Sequence, residues 1–201
     1  MKRSCILLLA CTAIVTGCGH PSEGAPMEDP SEIQEELFEE IVAWLNSDGE
    51  VEQYTRFVTR AEREAQAATR LAQQQAAREG KAGFQVPSLI IDCNNTNSLW
   101  LFSGENHTGT KLCLYRNPAH GIAAIDLSRI VFLRFSGVTL YWNGMVRSLY
   151  AGADGGNLAH CDLARAICYS GNAPYVGFTP WEAVWSIASN TSLNTAWLSI
   201  Y

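Results

Sequence analysis

LWLFSGENHTGTKLCLY, residues 99–115, sets two short apolar runs around a stretch of Ser, Gly, Asn and Thr. Runs of this length, rich in aromatic and aliphatic side chains and bounded by turn formers, read as strands. The texture continues to the C-terminus through RIVFLRF, VTLYW, VRSLYA, RAICYS, AVWSIA and TAWLSIY. No helical period persists after Phe84, so residues 84–201 are expected to form an antiparallel all-β sandwich or barrel. Within it, RIVFLRF-SG-VTLYW predicts a hairpin turned at Ser136-Gly137.

The rest of the composition sets bounds. The chain has 201 residues, 47% of them apolar and 17% charged, which is globular and long enough for one domain plus extras. Twenty Asp and Glu against 14 Lys and Arg give a net charge of −6, which argues against a nucleic-acid partner, since phosphate backbone needs a cationic surface. WNGMVRSL (142–149) and PWEAVWSI (180–187) match weakly at an offset of 38 residues, placing Ser148 beside Ser186. Such a repeat implies two similar β units sharing one core.

MKRSCILLLACTAIVTGCGH opens the chain with Lys2 and Arg3 before an apolar stretch, Ile6 to Val15, too short to cross a bilayer. Val15-Thr16-Gly17-Cys18 resembles a bacterial lipobox. That resemblance implies a signal peptide over 1–17, cleavage before Cys18, and acylation there with palmitate-type chains. It also implies a cell-envelope location held to the membrane by the lipid anchor, in the outer membrane if the source is Gram-negative. Residues 18–30 read as a flexible tether.

Residues 31–80 are expected to be an α-helical hairpin or stalk. Ser31 and Gln34 suggest a capping box, and Ile33, Leu37, Phe38, Ile41, Trp44 and Leu45 recur at three-to-four spacing. Asn46–Gly49 ends the first helix, and a second runs over roughly 50–79 with a stripe of Ala61, Ala65, Ala68, Ala72 and Gln75, stopping near Gly80. That stripe reads either as the face of a stalk or as a dimerisation seam. Glu32, Glu35, Glu36, Glu39 and Glu40 read as a solvated face.

A resemblance adds to this reading. Residues 98–189 resemble the βγ-crystallin Greek keys, in which an aromatic opens a tight hairpin, a second ring follows five residues on, and a Gly two further; here these are Phe102, His107 and Gly109. The bacterial branch of that superfamily includes secreted metalloproteinase inhibitors with segments like Cys113-Leu114-Tyr115. The resemblance implies a Greek-key sandwich in which Ser148 and Ser186 each close a key. It also raises calcium, whose loops would be Asn143–Ser148 and Trp181–Ser186. Arg147 and Trp185 stand where a ligating oxygen is required, so Asn143, Ser148, Glu182 and Ser186 are degenerate positions and no metal or cofactor is expected.

With Cys5 and Cys11 in the signal and Cys18 acylated, Cys93, Cys113, Cys161 and Cys168 remain, an even set that favours disulfides in an exported domain. Three pairings are open, and Cys93–Cys113 with Cys161–Cys168 is favoured because each would link neighbouring strands. A Cys₄ zinc site is the alternative, against which the absence of any CxxC spacing counts. No nucleophile elbow, metal helix or phosphate loop accompanies His107, His120 and His160. The expectation is a non-enzymatic envelope lipoprotein presenting a binding or structural domain to an unidentified protein partner. The alternative is a peptidase inhibitor using loops such as Asn117–Ala119 or Asn172–Pro174 against a secreted peptidase. A hydrolytic enzyme is the distant third.

Overall fold

The computed structural model describes residues 35–80, 91–117, 121–162, 167–168, 175–188 and 192–199. The signal, Cys18, the tether, the start of the expected first helix, His120, Pro118-Ala119 and Asn172–Pro174 lie outside them. Residues 35–201 form one compact unit. Its elements are β1 (Leu37–Leu45), β2 (Val51–Thr59), α1 (Arg60–Arg78), β3 (Leu99–Phe102), β4 (Lys111–Tyr115), β5 (Ile122–Asp126), β6 (Val131–Phe135), β7 (Val138–Tyr141), β8 (Ser148–Tyr150), β9 (Gly155–Ala159), β10 (Cys161–Asp162), β11 (Ile167–Cys168), β12 (Tyr175–Phe178), β13 (Ala183–Val184) and β14 (Thr195–Ser199). The described chain is thus mostly β-sheet with a single α-helix.

A six-stranded sheet runs β13-β8-β3-β4-β1-β2 and a four-stranded sheet runs β12-β9-β14-β5. Alternation along each strand fills the space between them. Ile41 and Ala43 of β1, Leu99 and Leu101 of β3, Leu112 and Leu114 of β4 and Leu149 of β8 enter one core cluster. Ile125, Leu158, Phe178, Ala196 and Leu198 enter it from the other sheet. The alternate residues of these strands point the opposite way: Val42, Trp100, Phe102, Cys113 and Tyr150 form a second cluster on the outer face of the six-stranded sheet.

The expected helical stalk over 31–80 is corrected. Residues 37–45 and 51–59 are an antiparallel hairpin, and β1 also pairs in parallel with β4, joining the same sheet as the β strands that follow. Ile41-Val42-Ala43 is buried on both faces, so the strand reads as a continuous apolar run, and a continuous run imitates a helical stripe. Asn46–Gly49 is the hairpin turn: Asn46 Oδ1 accepts from the Asp48 and Glu50 amides at 3.0 Å each, and Gly49 has φ 77°.

The second expected helix survives in its latter part. Thr59 caps α1 with a capping box to Glu62, and Gly80 follows its end with φ 65°. The alanine stripe does not pack: Ala61, Ala65, Ala68, Ala72 and Gln75 are exposed, while Gln66 and Arg70 are buried. The expected β6–β7 hairpin is present, with Ser136 at φ 46° and Gly137 at φ 81°. The two repeat segments lie side by side, β8 pairing with β13.

Candidate functional site

Strand register builds the floor of the site. Glu40 of β1 stands opposite Arg56 of β2 and beside Lys111 of β4, all on the outer face of the six-stranded sheet. Glu40 is fully buried and forms ion pairs with both Arg56 and Lys111. One step along, Val42, Cys113, Trp100 and Tyr150 form the next row, tied at its edge by the Cys93–Cys113 disulfide, whose Cα atoms are 5.3 Å apart.

Helix α1 covers this floor with a polar stripe spaced at three and four residues. Arg63 Nη2 donates to Gly109 O at 2.9 Å and His107 O at 3.4 Å. Gln66 accepts from Lys111 Nζ and donates to Glu40 at 3.4 Å. Arg70 donates to Ser98 Oγ at 2.6 Å and to the Thr96, Asn95 and Cys93 carbonyls at 3.2 to 3.4 Å, with its guanidinium 4.3 Å from the Trp100 ring. Gln74 donates to Trp181 O at 2.6 Å and accepts from the Tyr150 hydroxyl at 3.1 Å.

Between helix and sheet lies a cavity of about 230 Å³. Rings of Trp100, Phe102, His107, Tyr150 and Trp185 wall it, Ala67 and Leu71 close it from the helix, and Arg63 and Lys111 bring charge. A second hollow of about 280 Å³ shares Leu71, Tyr150 and Trp185 and runs on to Gln74, Arg78 and Glu182. Leu71 and Trp185 are more than half exposed at the shared rim.

Burial sets the titration behaviour. It pushes the Lys111 ammonium down to about 8, with Arg63 and Arg56 adding repulsion and Glu40 opposing. Arg70 falls to about 10 for the same first reason. Burial also lowers His107, opposed by backbone hydrogen bonds to Leu149 and Val184; its Nε2 lies 3.0 Å from Leu149 O.

The Phe102 and His107 ring centroids are 5.1 Å apart and Gly109 has φ 77°. Ser148 Oγ accepts from the His107 amide at 3.0 Å and donates to Gly104 O at 2.7 Å, so it ties β8 to the β3–β4 turn. Ser186 Oγ donates to Glu105 at 3.0 Å. Asn143 is exposed, Arg147 donates to Gly144 O and Val146 O, and Glu182 accepts from Thr179 at 2.7 and 2.9 Å. Cys161 is disulfide-bonded and stands opposite Cys168 in the β10–β11 ladder. Among the described residues, the only trio of His, Cys, Asp or Glu ligand atoms that gathers is Glu40, Cys93 and Cys113, and both sulfurs are spent in the disulfide. His160 Nδ1 lies 2.9 Å from Ser192 O.

No protein-family model, no curated protein and no solved structure matches the chain.

Arg63, Arg70, Lys111, Trp100 and Tyr150 were not singled out in the sequence. They come from a helix and three strands, and no local spacing joins them. One signal was present: Trp185 misfits its loop because it belongs to the cavity wall.

Proposed function

We propose that this chain is a non-enzymatic envelope lipoprotein, anchored through Cys18, whose β body binds a small ligand in the cavity beneath α1. The observation that carries the reading is the cavity itself, concave and ring-walled, which is how small-molecule sites are generally made. Its titratable groups are engaged in holding the fold: Lys111 by Glu40 and Gln66, His107 by Leu149 O. A nucleophile with a base at its side is not among them, which favours binding over turnover. The crystallin-like reading of the β body is supported by the Phe102–His107 ring pair, the positive φ of Gly109 and the Ser148 bridge.

Indole, a flat neutral probe, tests the cavity. It is expected to raise the Tm of the full chain, to be recovered chemically unchanged, and to lose its effect in Ala67→Phe, which fills the space. No Tm rise, or an equal rise in Ala67→Phe, refutes the reading.

Peptidase inhibition is the second reading, and the β6–β7 hairpin favours it. Leu133 pairs with Leu140 and Phe135 with Val138, so one face of the ribbon presents four exposed apolar side chains on a preorganised turn, Phe135 being 73% exposed. A 1:1 complex with a secreted metalloproteinase that is lost in Phe135→Asp supports inhibition. Absence of any such complex at micromolar concentration leaves the first reading alone.

A further inference from the structure

We propose that the cavity beneath α1 takes an amphiphilic organic anion, a flat body of one or two rings bearing a single carboxylate, with Arg63 receiving the charge. The inference rests on the cavity being a binding site and adds the class of ligand.

Charge is the first argument. The layer between α1 and the sheet holds Arg56, Arg63, Arg70 and Lys111 against one carboxylate, Glu40. Arg56 and Lys111 share Glu40. Arg63 and Arg70 have no carboxylate within ion-pair distance among the described residues. Glu36 pairs with Arg60 at the surface and acts on Arg63 only through space, as Glu40 does, and Glu182, in the second hollow, accepts from Thr179. In a chain of net charge −6, the two charged side chains that line the cavity, Arg63 and Lys111, are both cations. Opposite charge placed there relieves the mutual repulsion that Arg63 and Arg56 exert on Lys111.

Geometry selects the receiving group. Arg70 is 1% exposed and its donors already meet Ser98 and three carbonyls. Lys111 is engaged by Glu40 and Gln66. Arg63, half-buried at the cavity wall, uses Nη2 on two carbonyl oxygens, which leaves Nη1 and Nε, on different edges of the guanidinium, each able to give a carboxylate one charge-assisted hydrogen bond.

The walls select the body of the ligand. Four aromatic side chains and the His107 ring suit a flat apolar group. A cationic guest is disfavoured. The Trp100 ring already holds Arg70 at 4.3 Å and Lys111 at 4.4 Å, so its cation-binding face is in use.

The test compares three probes of one shape on the full chain by calorimetry at pH 7: 2-naphthoate, 2-naphthylmethanol and 2-naphthylmethylammonium. Naphthoate is expected to bind at least tenfold tighter than the alcohol, and the ammonium weakest. Arg63→Gln is expected to shrink the ratio of carboxylate to alcohol affinity to under threefold, and Arg63→Lys to retain part of it. Equal binding of naphthoate and alcohol, or a preference that survives Arg63→Gln in a folded variant, overturns the ligand class. If the indole effect persists in that case, only the class has failed. If indole and all three probes fail to bind, the binding reading itself has failed.

Discussion

Arg70 is the side chain on which the docking of α1 depends most. It is 1% exposed, spans from the middle of the helix to the 93–98 loop, and lies over Trp100. Arg70→Met keeps the length and removes every donor. Hydrogen bonds from charged donors contribute roughly 1.5–3 kcal/mol each. The full sum is not lost, because the acceptors have other donors: Thr96 O also accepts from Ala153 N at 2.7 Å, Cys93 O from Trp100 Nε1 at 2.8 Å, and Asn95 O from Ser98 N at 3.0 Å. Relief of the buried charge, seen in its pKa falling to about 10, offsets part of the remainder. The expected net loss is about 2–3 kcal/mol, or a Tm lower by roughly 5–10 °C for a unit of this size. Urea unfolding gives the stability, and hydrogen exchange across Arg60–Arg78 reports whether the helix loosens first. Arg60→Met is the control: Arg60 and Glu36 are both more than half exposed, so that pair contributes under about 0.5 kcal/mol. Equal stability of Arg70→Met and the parent chain, with helix amides protected as before, refutes the clamp.

Three further outcomes are expected. Because burial holds the His107 pKa below its unfolded value, the unfolded state binds more protons as pH falls through about 6.5, so stability is complete above that pH and declines below it; urea midpoints at pH 7.5 and 5.5 should differ less in His107→Phe, and an unchanged difference counts against the assignment. A Cβ at Gly152 would run into Thr96 O and come within 2.7 Å of Arg70 Nη1 and Ser98 O, so Gly152→Ala should cost about 2 kcal/mol in chemical denaturation. Cys18→Ser should release the chain from the membrane pellet and abolish uptake of labelled palmitate; retention of both would remove the anchor from the proposal.

What could be read in the sequence was local. Ser136-Gly137 between two apolar runs specified its hairpin, because a two-residue turn with positive φ needs no distant partner. The same holds for the turn joining β3 to β4. β1 imitates a helix locally because what decides it is non-local. Ile41-Val42-Ala43 is apolar on both faces since one side meets the four-stranded sheet's core and the other lies under α1. Glu40, taken with its neighbours as a solvated face, is fully buried because Arg56 and Lys111 arrive from flanking strands. The helix inverts the usual rule, docking through Arg63, Gln66, Arg70 and Gln74 while Ala61, Ala65, Ala68 and Ala72 face water. No hydrophobic period marks such a face, so the cavity it covers left no trace in the sequence beyond an aromatic in an unsuitable loop position.

Chemical-shift mapping with 2-naphthoate on the isotope-labelled full chain tests the central claim most directly. The account predicts that the indole signals of Trp100 and Trp185 and the side-chain signals of His107, Tyr150 and Lys111 move together and saturate at one equivalent, with residues 131–141 unperturbed. Shifts confined to the β6–β7 hairpin, or none at saturating probe, would contradict it.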